Sequence, residues 1–343
     1  MSSESSKEKR DAGEITPAPT DAQPPPPKRS KKEVEIDSFE EIPKWDKSGH
    51  RVYVWNDYDD KFSAEYAKSV GERLPDRRVR RIRLMDHDLT DEFVEHMAKG
   101  MAGHRELQEL TLRVNRIGDK GAAAIAKLLE HPRCRIYKLD LEENRLKHHG
   151  FVALAKAAAA NRSLWTLRLR NNLRMSYERP KNWVIDFVSA LTRSPSLRKV
   201  DLRNNSFSDW EAQQLFITWA NGASVRKLDV SDVPGMFSDG SKALDAFMTL
   251  LATPDACPTH IKIKYTGVEK EFWEKLPKAV AANPRLRRLE IREMRQSAGE
   301  YPYGIPTEEA YNIVCEIEKE RLAAETGDKS TYSDLDITFW TEV

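Results

Sequence analysis

The chain has few cysteines, almost no net charge and no long apolar run, and each shortage excludes a class of protein. Its three cysteines are Cys134, Cys257 and Cys315, and they form neither a CxxC pair nor a Cys/His spacing typical of a metal site. We therefore expect reduced thiols and no bound metal. No apolar run approaches the roughly 18 residues of a membrane helix, and the polar start MSSESSKEKRD is unlike a signal peptide. These features predict a soluble intracellular protein.

Motifs that carry catalysis or hold a cofactor are also missing. The sequence has no glycine-rich phosphate loop and no nucleophile motif, and its Asp and Glu residues are scattered instead of paired. The adjacent His148 and His149 precede Gly150 at the predicted start of a helix, where a structural role is favoured over a ligand role. The net charge of +1 indicates no class of partner by itself. We expect a protein that is not an enzyme, with no catalytic residue and no cofactor.

What the sequence does contain is a repeat. In residues 107–117, LQELTLRVNRI, apolar residues stand at Leu107, Leu110, Leu112 and Ile117, with Asn115 between them. The same spacing recurs in eight segments, which start at Val79, Leu107, Ile136, Leu164, Leu197, Val225, Pro258 and Leu286. Successive starts differ by 28 to 33 residues, and the spacing L-x-x-L-x-L-x-x-N-x-L is that of a leucine-rich repeat. The sequence therefore predicts strand–helix units that complete one another's core when stacked.

The position of each residue within a unit predicts its role. Side chains alternate along a strand, so positions four and six should point inward. The fourth positions of units two to six should form one continuous inner row, made of Leu110, Leu139, Leu167, Val200 and Leu228. Asparagine at position nine can bridge backbone groups of adjacent turns, and it occurs as Asn115, Asn144, Asn172 and Asn205. The other units carry His87, Val233, Thr266 and Met294 there, so we expect them to be less regular.

A period of about 28 residues with a full helix in each unit resembles the ribonuclease-inhibitor class of leucine-rich-repeat proteins. The resemblance covers residues 79–294. It implies an α/β solenoid shaped like a horseshoe, with parallel strands on the concave face and helices on the convex face. The repeats are also similar in style to those of Ran GTPase-activating proteins, although the chain lacks that family's acidic C-terminal tail and larger number of repeats. Because this architecture serves many partners, the resemblance implies a fold and leaves the partner open.

The composition divides the chain into four regions. Residues 1–35 have six prolines and no aromatic residue, which predicts a disordered tail. Residues 36–78 form an aromatic-rich N-terminal cap, and residues 79–296 hold the eight repeats. Residues 297–343 are predicted to supply a long loop, a helix over 307–325 and a terminal strand, which together form a ninth unit or C-terminal cap. In that strand, Leu335 and Ile337 are expected to point inward.

A basic cluster in the predicted tail is relevant to the cellular localisation of the protein. Lys28, Arg29, Lys31 and Lys32 follow a run of prolines and look like a single-part nuclear localisation signal. A solubilising linker is the alternative explanation. We expect the protein in the nucleus or the cytoplasm.

Positions three, five and seven of each strand point outward and form the candidate binding surface. Of these 24 positions, 13 are Lys or Arg and six are Asp or Glu. Opposite charges on neighbouring strands can pair as a solvated ladder, and Lys199 and Lys227 beside Asp201 and Asp229 fit that interpretation. The excess of positive charge favours instead a surface complementary to an acidic partner. The candidate partner-binding cations are Arg81, Arg83, Arg113, Arg168, Arg170, Arg203, Lys262, Lys264 and Arg292.

Inserted loops in units four, six and eight supply a second candidate surface. They occupy residues 173–182, 233–242 and 293–306, and they should project from one edge of the sheet. Their apolar and aromatic residues are expected to form an exposed contact rim, made of Tyr177, Met236, Phe237, Tyr301 and Tyr303.

The class of partner follows from the same positions. None of the 24 outward positions is aromatic, whereas binders of single-stranded nucleic acid stack bases on aromatic side chains. The main hypothesis is therefore a non-enzymatic interaction scaffold for an acidic protein. The alternatives are a GTPase-activating regulator of the Ran type and a nucleic-acid-associated protein. No membrane partner is expected, and the oligomeric state is left open.

Overall fold

The computed structural model describes residues 34–36, 79–173, 179–222, 225–293 and 336–341, together with Asn312, all within the unit Val34–Val343. Only the backbone is described for residues 34–36 and 336–341. Most of the predicted tail, most of the predicted cap and the predicted helix apart from Asn312 lie outside the described residues. Tyr177, Tyr301 and Tyr303 lie outside them as well.

Parallel strands in chain order form one sheet over the described residues. They are β1 (Val34–Ile36), β2 (Val79–Arg83), β3 (Glu109–Thr111), β4 (Lys138–Asp140), β5 (Thr166–Arg168), β6 (Lys199–Asp201), β7 (Lys227–Asp229), β8 (His260–Lys264), β9 (Arg288–Glu293) and β10 (Asp336–Thr341). Each of β2 to β9 begins in one predicted repeat. The predicted strand–helix order is confirmed.

A helix follows each strand from β2 to β8. The helices are α1 (Asp91–Gly100), α2 (Asp119–Glu130), α3 (His148–Ala160), α4 (Trp183–Thr192), α5 (Asp209–Ala220), α6 (Lys242–Leu251) and α7 (Lys270–Ala281). His148 and His149 open α3, as the sequence predicts. No helix in the described part of the chain is long and apolar enough to cross a membrane.

The inner row of the sheet forms as the repeat predicts. Leu110 pairs in register with Leu139, Leu139 with Leu167, Leu167 with Val200, and Val200 with Leu228. None of the five is more than 1% exposed. The α/β leucine-rich-repeat solenoid is thus confirmed, and its core lies between the strands and the helices.

The position-nine asparagines bridge consecutive turns. The Oδ1 atom of Asn144 accepts a hydrogen bond from the backbone N–H of Ile117 at 3.1 Å. Its Nδ2 donates to the carbonyl of Leu112 at 2.9 Å and to that of Leu141 at 3.2 Å. Asn115, Asn172 and Asn205 make the equivalent bonds. These amides satisfy backbone groups that would otherwise be buried without a partner.

The helices are also linked by capping from one repeat to the next. The Oδ1 atom of Asp91, the first residue of α1, accepts hydrogen bonds from the backbone N–H groups of Gly118 at 2.6 Å and Gly121 at 2.9 Å, at the start of α2. A carboxylate at this place satisfies free N–H groups and the helix dipole together. The helix of one unit therefore holds the start of the next.

The two outermost strands differ from the sequence-based expectation. Strand β1 crosses the predicted boundary between tail and cap and was not predicted at all. In β10, Ile337 pairs with Leu289 and Phe339 pairs with Ile291. Since Leu289 occupies position four of its unit, position four of the last strand is Ile337 and not Leu335. The predicted frame of this strand was therefore displaced by two residues.

Candidate functional site: the outer face of the sheet

The outer face of the sheet, which we call the strand face, carries positions three, five and seven of the units between residues 81 and 292. The repeat places these side chains opposite the core because the inward positions four and six alternate with them. The face is not uniformly exposed, since Glu109, Asp140, Glu142, Asp201 and Glu290 are all buried. A buried carboxylate is costly unless it is paired, so its partners decide the character of the surface.

Glu109 lies at the first of three carboxylate clusters. Its side chain contacts Arg81 Nε at 3.1 Å and Lys138 Nζ at 3.6 Å, and the hydroxyl of Tyr137 donates to it at 2.5 Å. Burial alone would raise the pKa of Glu109, but Tyr137 and the two cations outweigh burial and lower the pKa. Burial and the bond to Glu109 raise the pKa of Tyr137 to about 12. Glu109 is therefore ionised and fully paired.

Arg203 lies at the centre of the second cluster. It contacts Asp201 at 2.7 Å, Asp229 at 3.4 Å and Glu142 at 3.7 Å, so one guanidinium contacts carboxylates of three units. The bond to Asp201 is the main cause that raises the pKa of Arg203. Burial raises the pKa of Glu142, and the neighbouring aspartates add to this. This cluster is a cross-strand network whose carboxylates outnumber the guanidinium.

Asp140, and Glu290 as the centre of the third cluster, complete the pairing of the carboxylates. Arg168 Nη1 lies 3.2 Å from Asp140 Oδ2. Glu290 is contacted by Lys262 and Lys264, each at 2.9 Å, and by Arg288 at 3.0 Å.

Several strand-face cations are left without an acidic partner. All six strand-face carboxylates between residues 81 and 292 contact a cation. Among the strand-face cations of the same stretch, four have neither an ion pair nor a side-chain hydrogen bond: Arg113, Arg170, Lys199 and Lys227. Arg113 and Lys227 are exposed, while Arg170 and Lys199 are half-buried. The positive excess read from the sequence is thus not neutralised by the face itself.

The candidate cations divide accordingly. Arg81, Arg168, Arg203, Lys262 and Lys264 take part in the carboxylate clusters and stabilise the face itself. Arg113 and Arg170 remain unpaired, Arg83 has other interactions, and Arg292 lies 5.9 Å from the ring of Tyr265.

The pairing of Lys199 and Lys227 differs from the sequence interpretation. The spacing suggested that they pair with Asp201 and Asp229. In the structure, both aspartates form ion pairs with Arg203 instead. The planar guanidinium has several donors and can contact carboxylates on neighbouring strands. The two lysines are therefore candidate binding residues that sequence reasoning missed. Their adjacency at position three of neighbouring units was the available signal.

The expected exposed rim is wrong for unit six. Met236 is 4% exposed and Phe237 is 0% exposed. The ring of Phe237 packs at centroid distances of 4.7 Å from Phe247, 5.7 Å from Phe272 and 5.8 Å from Phe216. The inserted loop folds inward because its aromatic ring fills the space between α5, α6 and α7. Neither residue offers a contact surface.

The inserted loop of unit four contacts the next unit after residue 178. Arg179 Nη1 contacts Glu211 Oε2 at 3.0 Å and donates to the carbonyl of Ser206 at 2.8 Å. Trp183 Nε1 donates to the same glutamate at 2.6 Å. Both charged side chains are nearly buried, at 9% and 10% exposure. The C-terminal end of this loop is therefore held rigidly against α5.

Metal-binding and thiol chemistry find little support in the described residues. No group of three or more His, Cys, Asp or Glu side chains among them could hold a metal ion. Cys134 and Cys257 are buried and unpaired. Burial raises the pKa of both thiols, that of Cys257 to about 12. Neither is set up as a nucleophile, since the thiolate is the reactive form.

The strand–helix units and the asparagine bridges define a leucine-rich-repeat solenoid. Its repeats are similar to those of ribonuclease inhibitor from Sus scrofa, at 32% identity over 91 residues, which cover 26% of this chain and 20% of that protein. They are also similar to NACHT, LRR and PYD domains-containing protein 12 from Homo sapiens, at 30% identity over 100 residues, or 29% of this chain and 9% of that protein. The matches thus span a fifth or less of these two relatives. No protein-family model matches the chain.

A solved structure is matched only weakly. Leiomodin-1 Actin-Binding Site 2 (ABS2) matches with a TM-score of 0.34 and 20% identity, over 40% of this chain and 76% of that one. This similarity is too low to support a conclusion about function.

Proposed function

We propose that this chain is a protein-interaction scaffold whose strand face binds an acidic surface of a partner protein. The observation that carries the proposal is the asymmetry of pairing on that face. Every strand-face carboxylate of the described units contacts a cation, whereas Arg113, Arg170, Lys199 and Lys227 form no ion pair. Unpaired charge of one sign steers a complementary partner and selects it over others.

The paired residues support the same function in a different way. A network such as the one around Arg203 fixes the side chains before a partner arrives. Preorganised side chains lose less conformational entropy on binding. The network thus holds the surface around the unpaired cations in place. One relative of the repeats is, by its name, an inhibitor of ribonuclease, which is itself a protein.

The aromatic residues beside the face do not favour nucleic acid. Trp165 precedes β5, and the guanidinium of Arg198 lies 5.9 Å from its ring. Tyr137 is committed through its hydroxyl to Glu109. Binders of single strands offer open aromatic platforms to bases, and these two rings already have protein partners.

Charge reversal at the unpaired positions tests the proposal. Arg113→Glu with Arg170→Glu should abolish binding of a polyglutamate peptide, measured by calorimetry, and should abolish salt-sensitive capture of an acidic protein from nuclease-treated cell extract. The matched control is Lys156→Glu with Lys278→Glu, which makes the same change of net charge at exposed positions of α3 and α7. Equal binding by the two double variants would contradict a role for the strand face.

The two alternative functions have their own assays. Catalytic amounts of the chain should leave the GTP hydrolysis rate of a Ran-like GTPase unchanged. A large acceleration would replace the scaffold with a GTPase-activating regulator. Loss of all captured protein on nuclease treatment would indicate a nucleic-acid-associated protein instead.

A further inference from the structure

A row without any carboxylate crosses the middle of the strand face. It consists of the position-three residues of β5 to β8, namely Thr166, Lys199, Lys227 and His260, which are direct register partners. On either side the position-three row changes character, since Lys138 of β4 contacts Glu109 and Arg288 of β9 contacts Glu290. Only this central stretch of the row places two unpaired ammonium groups on adjacent strands within the described units.

The surroundings of Lys199 disfavour its charged form. Like charges that face each other across neighbouring strands, about 4.8 Å apart, are destabilising. Burial lowers the pKa of Lys199, and Arg168 and Lys262 lower it further, against the opposing effect of Asp201 and Asp229. The oxygens of both aspartates are contacted by Arg203. An external anion would relieve the repulsion that the fold leaves in place.

The number of charges selects the kind of anion. One carboxylate carries a single charge and would neutralise one lysine while leaving its neighbour repelled. A phosphate monoester carries about −1.5 to −2 charges at neutral pH and three strong acceptor oxygens. Its oxygens could accept hydrogen bonds from both ammonium groups. Thr166, which is buried, and His260, whose Nδ1 lies 2.9 Å from Thr259 Oγ1, are their neighbours in the row.

We propose that Lys199 and Lys227, flanked by Thr166 and His260, bind the phosphate of a phosphorylated serine or threonine in the partner protein. This inference rests on the proposed function of the strand face and adds to it a specific anchor. A phosphorylated peptide is favoured over a nucleic acid because Tyr137 and Trp165, the aromatic residues beside this row, already contact Glu109 and Arg198.

A pair of peptides tests the anchor in the full-length chain. Both are acidic and identical in sequence, except that one carries phosphoserine where the other carries glutamate. We expect the phosphopeptide to bind about ten to a hundred times more tightly, the range expected for charge-assisted hydrogen bonds. Its affinity should weaken as the pH falls through about 6, where the phosphate takes up its second proton.

Substitutions distinguish this anchor from the rest of the face. Lys199→Ala and Lys227→Ala should each remove most of the preference for phosphoserine over glutamate. Arg113→Ala, an unpaired cation outside the row, should weaken both peptides by the same factor. In urea unfolding, Lys199→Ala and Lys227→Ala should be at least as stable as the unmodified chain, because each removes one of two like charges on neighbouring strands.

The outcomes separate the anchor from the proposed function. If both peptides bind equally and the lysine variants weaken both alike, the acidic-partner function stands and the phosphate anchor is wrong. If neither peptide binds, both proposals fail. Tighter binding of a single-stranded RNA oligonucleotide, lost in Lys199→Ala, would assign the row to nucleic acid and overturn the inference.

Discussion

The carboxylate of Asp119 accepts a hydrogen bond from the backbone N–H of Gly150 at 2.9 Å, 31 residues further along the chain. The same Oδ1 atom accepts from Lys147 N–H at 2.7 Å. The first residue of α2 therefore caps the start of α3, as Asp91 caps the start of α2. This contact requires glycine at position 150, since a Cβ there would lie 2.7 Å from Asp119 Oδ1 and 3.1 Å from Ala122 Cβ.

Gly150→Ala should therefore lower the free energy of unfolding by about 1–3 kcal/mol, the usual cost of overpacking. Helix propensity alone predicts the opposite sign, because alanine is better than glycine inside a helix by about 0.5–1 kcal/mol. Gly222→Ala is the matched control. Its added Cβ meets no atom within 4 Å, so a gain of about 0.4–1 kcal/mol is expected there. Urea unfolding of both variants checks the prediction, and a gain at both positions would contradict it.

Val114 adopts a left-handed backbone conformation with φ of 57°, although valine is branched at Cβ. Asn171 holds the equivalent place in another unit, with φ of 52°. Left-handed conformations cost a typical residue about 1–2 kcal/mol, and asparagine tolerates them better. Val114→Asn should raise the unfolding midpoint in urea and Asn171→Val should lower it. Changes of the same sign in the two variants would exclude backbone strain as the cause.

Arg179 and Glu211 form a nearly buried ion pair, with side chains that are 9% and 10% exposed. Arg179→Ala should lower the free energy of unfolding by about 3–5 kcal/mol, because it leaves the Glu211 carboxylate buried without its cation. The double variant Arg179→Met, Glu211→Leu should recover much of that loss, since no unpaired charge remains. Chemical unfolding of both proteins measures the difference. A double variant less stable than the single one would contradict this prediction. It would show that the hydrogen bonds of Glu211 to Trp183 and to the start of α5 matter more than its ion pair.

Phe237 belongs to the core of the helix layer. Phe237→Ala should lower the free energy of unfolding by about 3–5 kcal/mol, the usual cost of removing a buried ring. If the side chain were an exposed contact, the same change would leave stability nearly unchanged and weaken binding instead. Thermal and urea unfolding distinguish the two cases, with Pro234→Ala as the control because Pro234 is exposed in the same loop.

Glu290 should make the stability of the strand face sensitive to acid. Burial alone would raise the pKa of Glu290, but the hydrogen bonds from Lys262 and Lys264 outweigh burial and hold the pKa below its usual value. Its contribution is therefore complete above the pKa of an unfolded glutamate, about 4.3, and is lost as the pH falls through the folded-state value. Glu290→Gln should be much less stable than the unmodified chain near pH 7, and this difference should shrink on acidification.

Asp229 provides the opposite sign as a control for that pH series. Burial raises the pKa of its carboxyl, and the charge on Asp201 adds to the shift. A raised pKa contributes stability below the unfolded value, and this contribution is lost as the pH rises through the folded-state value. Asp229→Asn should therefore gain stability relative to the unmodified chain as the pH rises. A parallel pH dependence in the Glu290 and Asp229 variants would contradict both assignments.

The fold was predictable because its signal is periodic. Leu110 and Leu139 recur at the same place in successive units, so their pairing follows from the spacing alone. The bridging role of Asn144 follows in the same way, since an amide can both donate and accept. The period also identified which residues face outward, including Lys199 and Lys227.

The contacts within the site were less predictable, because they depend on the length of individual side chains and not on the repeat spacing. Nothing in the spacing states that Arg203 contacts Asp201, Asp229 and Glu142 of three different units, since that depends on side-chain length and competition among neighbours. The burial of Phe237 was not predicted for a related reason. An insertion has no partner unit in the sequence, so its apolar residues look the same whether they are exposed or buried.

Three of the capping contacts run in the same direction along the chain. Asp91, Asp119 and Asp209 each precede the backbone N–H groups that they cap, by 27 to 34 residues. Because a ribosome delivers the N-terminal residues first, the acceptor for each of these helix starts leaves the ribosome before the helix that needs it. A nascent chain that has completed one of these units thus already carries the carboxylate that caps the start of the next helix, and these three caps do not wait for a residue that is still to be translated.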